Sequence, residues 1–90
     1  MSQREYQSEA DAVLQSFTEG LDATEAALAL AVLANRTVAR LHAGSRAGAA
    51  AHKDQPDWPV WAQLQNASRS LVLQASTCRD LALRLAGRRA

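Results

Sequence analysis

Residues 57–87, DWPVWAQLQNASRSLVLQASTCRDLALRLAG, decide the fold. Within them Trp61, Leu64, Ser68, Leu71, Ala75, Cys78, Ala82 and Leu85 recur at alternating intervals of three and four. That is the period of one helix face, and it is sustained for more than three heptads. Asp57 stands where an N-cap belongs, Pro59 falls in the first turn where its missing N–H costs nothing, and Gly87 follows as the stop. The spacing predicts a long amphipathic helix over 59–86, a rod of roughly 42 Å. Its seam is rich in small residues, so a partner helix can approach closely. Cys78, on that seam, reads as a buried, inert thiol. The opposite face carries Ala62, Asn66, Arg69, Leu73, Ser76, Asp80 and Leu83. Leu73 and Leu83 sit there where a monomer would show water, which marks a contact surface.

Upstream, Tyr6, Ala10, Val13, Leu14, Phe17 and Leu21 share one helical face, which predicts a first helix over about 4–19. Gly20 supplies its stop, and Asp22-Ala23-Thr24-Glu25 reads as a capping box for a second helix over about 23–43. The link is tight, so these two helices should be antiparallel neighbours. The second helix has a main stripe of Ala26, Leu30, Leu33, Thr37 and Leu41, and a further apolar line of Leu28, Val32 and Ala39. A helix apolar on nearly every side needs cover from more than one direction. The stretch 44–58 reads as a fraying helix that passes into a loop. Gly44 and Gly48 weaken the helix, and Pro56 and Pro59 break it.

Composition agrees. The chain has 90 residues, room for one domain spanning 1–90, and 48% of them are apolar, too many for disorder. They are chiefly Ala and Leu with no Ile, which favours helix over strand. Nine of the ten basic residues are Arg, which together with the missing Ile points to a GC-rich bacterial genome. The fold class expected is all-α: a small three-helix bundle with a long C-terminal amphipathic helix, open to completion by oligomerisation.

The chemistry-bearing residues are few. A single cysteine excludes an internal disulfide and any Cys-based zinc site. The start, MSQREYQSE, lacks the apolar core of a secretory signal, and the longest apolar run, Ala26–Ala34, is too short to span a bilayer. A cytoplasmic address without membrane contact is expected. His42 and His52 lack the spacing of a paired metal site and read as solvent-facing, so no metal or other cofactor is expected. Arg36 and His42 loosely resemble the Arg-x(4–6)-His spacing of HEPN-type ribonucleases, which would make the chain a small toxin-like nuclease. Arg46 and His52 repeat the spacing, so the match is cheap. Ser68, Ser70, Ser76 and Thr77 are mid-helix hydroxyls that back-bond to the preceding turn.

Charge is unevenly placed: residues 1–25 hold six acids against Arg4, and the tail gathers Arg79, Arg84, Arg88 and Arg89. Helix dipoles account for this, and an acidic first helix paired with a basic tail is the alternative. The tail offers a second function, loose binding to nucleic-acid phosphates without sequence choice. The leading expectation is a non-enzymatic protein–protein interaction module that docks helix on helix, with itself or as a small subunit. Its contact residues would be Leu28 and Val32, Leu73 and Leu83, with Trp58 as an aromatic anchor.

Overall fold

The computed structural model describes residues 2–88. The described residues form three helices: α1 (Gln3–Thr18), α2 (Ala23–Ala51) and α3 (Trp58–Gly87). The fold is a helical bundle, and its dominant element is the hairpin of α2 and α3. A capping box starts α1: Ser2 Oγ accepts from the Glu5 amide at 3.3 Å, and Glu5 Oε2 accepts from the Ser2 amide at 3.2 Å. Gly20 ends the turn that follows with φ at +80°, a conformation that favours glycine. Asp22 then caps α2 through the Glu25 amide at 2.9 Å.

The sequence reading ended the second helix near residue 43, but α2 continues to Ala51. Three consecutive alanines and the packing of this last stretch against α3 outweigh the two glycines, and Ser45 and Ala49 are buried there. Gly48 lies directly beneath the Trp61 indole, where a Cβ would collide with the ring. Glycine therefore serves close approach here rather than fraying. Gly87 also departs from expectation. It remains in the last turn of α3, and Gly20 alone has positive φ among the described residues.

The hairpin seam follows from burial. On α2 the partly or fully buried positions Leu28, Ala31, Asn35, Val38, His42, Ser45, Ala49 and His52 alternate by three and four. On α3 the matching row is Trp61, Gln65, Ser68, Val72, Ala75, Arg79, Ala82 and Ala86. This is an antiparallel coiled coil with a seam of small and polar side chains. It corrects the seam read from sequence. Trp61, Ser68, Ala75 and Ala82 do face α2, but Leu64, Leu71, Cys78 and Leu85 point away. Cys78 is exposed rather than buried.

The seam's polar groups are satisfied. Ser45 Oγ donates to the His42 carbonyl at 2.8 Å, and Ser68 Oγ donates to the Gln65 carbonyl at 3.0 Å. Ser68 Oγ also lies 3.0 Å from His42 Nδ1 and 3.1 Å from Ser45 Oγ, which joins the three side chains in one network across the seam. Further along, Asn35 Nδ2 donates to Ser76 Oγ at 3.0 Å, and Arg79 donates to Asn35 Oδ1 at 3.1 Å. Such layers fix which residue faces which along a seam that apolar packing alone would leave free to slide.

The molecule is long and thin. Its principal extents are 54 × 28 × 13 Å, and its radius of gyration of 16.2 Å exceeds the roughly 12 Å of a compact chain this size. α1 makes little contact with α2, and among the described residues its backbone does not closely approach α3. Leu14 borders a cleft whose other walls are Leu30, Leu33, Ala34, Thr37 and Val38, so α1 leans on one side of α2.

Candidate docking face

The residue types that flank the seam give the hairpin two different faces. Stepping one residue back from each seam position turns a helix by about 100°. Because α2 and α3 run in opposite directions, this step brings both rows to the same side of the hairpin. On α2 the row is Ala27, Leu30, Ala34, Thr37, Leu41, Gly44 and Gly48. On α3 it is Val60, Leu64, Ala67, Leu71, Gln74, Cys78, Leu81 and Leu85. Neither row contains a charged residue.

The α3 row is open to solvent along its length: Leu71 is 44% exposed, Leu85 53% and Val60 66%. On the α2 row, Leu30, Ala34 and Thr37 share a cleft with Leu14 of α1 and remain exposed. Tyr6, Val13 and Phe17 of α1 are themselves exposed. The result is an uncharged strip along α3, rimmed on the far side of α2 by the apolar row of α1.

The other side of the hairpin, one residue ahead of the seam, carries Glu25, Arg36, Arg46, Arg69 and Asp80 among small residues. Leu73 and Leu83 stand on that charged side and are exposed, as their sequence positions suggested. Leu28 and Val32, the α2 residues read as contact candidates, are half-buried, and Leu28 belongs to the hairpin seam. Trp58 is exposed at the start of α3. By the same step Val32, one residue ahead of Ala31, lies on the side of Leu73 and Leu83, while Leu28 in the seam and Trp58 at the start of α3 stand apart from them.

Asp57 organises the end of the hairpin. Its carboxylate accepts from Trp61 Nε1 and contacts His52 Nδ1, both at 3.1 Å, and the His52 and Trp61 rings lie 5.3 Å apart. It occupies the N-cap position of α3 without bonding the helix backbone. Desolvation by its neighbours raises the Asp57 carboxyl's pKa, but the hydrogen bonds from His52 and Trp61, with the histidine's charge, outweigh it. The net effect holds the carboxyl below its ordinary range.

His42 is therefore held in the seam, in contrast to the solvent-facing reading, while His52 has partners within the fold and still keeps 41% of its side chain exposed. Ser68, the hydroxyl beside His42, is completely buried, which denies a substrate access to that pair. Arg36 is exposed, and six residues of helix turn it about 120° from His42, so the two do not converge on one phosphate. In the tail, Arg79 is engaged by Asn35 and by Asp80 at 3.4 Å, which leaves Arg84 and Arg88 as its exposed cations among the described residues. Arg89 lies outside the described residues. Among those described, no cluster of three or more His, Cys, Asp or Glu is placed to hold a metal, and no helix is long and apolar enough to cross a membrane. No protein-family model matches the chain, and no curated protein or solved structure matches it either.

The signal for the open face was present in the sequence. The row Leu64, Leu71, Cys78, Leu85 was legible as apolar and periodic, but it was assigned to the chain's own core. The true seam is harder to read because Gln65, Ser68 and Arg79 interrupt it with polar groups.

Proposed function

We propose that this protein is a non-enzymatic interaction module, a helical adaptor, regulator or small subunit that docks on another protein helix to helix. The observation that carries the reading is the uncharged strip of α3, running the length of the hairpin and uncovered by the chain's own helices. Scattered apolar residues on a surface mean little, but a sustained apolar seam at heptad spacing is the recognition surface of one helix for another. A cytoplasmic, bacterial setting fits the exposed free thiol and the composition.

The reading is tested by chemical cross-linking in an extract of the native host, comparing the wild type with the double variant Leu64→Glu/Leu71→Glu. A protein-bound species, homomeric or heteromeric, is expected for the wild type and lost in the variant. If circular dichroism shows the variant's hairpin intact and the bound species are identical in both, the strip is not the docking surface.

A further inference from the structure

We propose that the strip is closed by a second copy of this chain, with α3 of each copy lying antiparallel on α3 of the other. This deepens the interaction-module reading and rests on it.

The first argument is area. The chain exposes 6919 Å², whereas a compact monomer of 9.7 kDa exposes about 5,100 Å². The excess, about 1,800 Å², falls within the roughly 1,000–2,500 Å² that each partner contributes to an obligate homodimer. A single chain therefore carries about the surplus surface that one copy of itself would cover.

The second argument is register. A two-fold axis perpendicular to α3, passing between Val72 and Leu73, pairs residues whose numbers sum to 145. Of the heptad-compatible registers, this one matches all eight positions of the row, and the sizes suit. Leu64 meets Leu81 of the second copy, the small Ala67 meets Cys78, and Leu71 packs on the aliphatic stem of Gln74. The row has no charge, so no ion is stranded in the interface.

The third argument is charge outside the row. The same register brings Arg88, at the end of one α3, to the level of Asp57 at the start of the other. Opposed helix dipoles add to that attraction. Side-chain size selects α3 over α2 as the contact, because the α3 row carries Leu64, Leu71, Leu81 and Leu85 where the α2 row has Ala27, Ala34, Gly44 and Gly48, and α1 borders only the α2 row. The exposed row of α1, with Tyr6, Val13 and Phe17, then flanks the incoming helix.

The test combines light scattering with a designed cross-link. The wild type is expected to be a dimer at micromolar concentration, and Leu71→Glu a monomer with unchanged helicity, because Leu71 points away from the hairpin seam. Leu73→Glu, on the charged side, is expected to remain dimeric. Under mild oxidation Ala67→Cys is expected to form an intermolecular disulfide with Cys78 of the other copy, while the wild type, with one thiol per chain held apart from its mate, does not. A dimer abolished by Leu73→Glu and untouched by Leu71→Glu would overturn the proposal, as would wild-type Cys78 cross-linking to itself in high yield. A wild type that stays monomeric at every concentration also overturns it. In that case a heteromeric species lost in the Leu64→Glu/Leu71→Glu variant preserves the interaction-module reading, and the absence of one sinks both.

Discussion

At the scale of single residues, the two glycines of α2 make opposite contributions. Gly48 is required by contact, since an added methyl would run into the Trp61 ring, itself held by Asp57. Gly48→Ala is therefore expected to destabilise the hairpin by about 1–3 kcal/mol despite alanine's better helix propensity. Gly44 meets nothing within 4 Å, so Gly44→Ala is expected to gain up to about 1 kcal/mol. Urea denaturation of the two variants reads both signs. Asp57 gives a residue-level prediction in pH. Its carboxyl is held below its ordinary range, so the ionised form stabilises the fold above the unfolded pKa. That contribution is lost as pH falls through the lower, folded value. The stability difference between wild type and Asp57→Asn is thus expected to shrink in the acid limb below about pH 4. A difference that grows on acidification would contradict the assigned direction.

At the scale of elements, the helices themselves were legible and their partnering was not. Gly20, Asp22, Asp57 and Pro59 announce the boundaries by local chemistry, which sequence carries directly. The Ser2–Glu5 capping box was equally readable and was overlooked. The length of α2 past residue 43 depended on Trp61 covering Gly48, a contact between residues 13 apart that no local rule supplies. Seam assignment failed for a different reason. Periodicity shows that a face is apolar, not which surface it meets, and α3 carries two interleaved heptad rows one residue apart. The smaller, more polar row pairs with α2 because Ser and Ala let the backbones approach, and because His42, Asn35 and Arg79 find their hydrogen bonds there. That account makes Ser68→Leu informative. It converts the seam to the apolar character expected of a core, yet Ser68 has no exposed surface and lies where the two helices meet. A loss of about 1–3 kcal/mol in chemical denaturation is expected, because the wedge separates the helices and breaks the bond to His42. A variant more stable than the wild type would mean that the polar layer is dispensable to the packing.

At the scale of the whole molecule, Ala49 and Ala82 are the buried apolar side chains among the described residues, a small core for a chain of this length. Most leucines lie outside the hairpin seam, so much of the available hydrophobic stabilisation is realised only when the open strip is covered. The covered strip then raises the melting temperature above that of the hairpin alone, so at the wild-type transition unfolding and dissociation coincide and stability depends on protomer concentration. For a dimer that unfolds in one step to two chains, each tenfold dilution removes about 1.4 kcal/mol per mole of dimer. Spread over the unfolding entropy of two 90-residue chains, this lowers Tm by about 4 °C per tenfold dilution. Thermal melts followed by circular dichroism from about one to a hundred micromolar are expected to shift by about twice that amount across the range. Leu71→Glu is expected to melt at a lower temperature that does not move with concentration. A wild-type Tm independent of concentration would show that the α2–α3 hairpin is stable alone, and that its small, hydrogen-bonded seam supplies more stability than its buried apolar area implies.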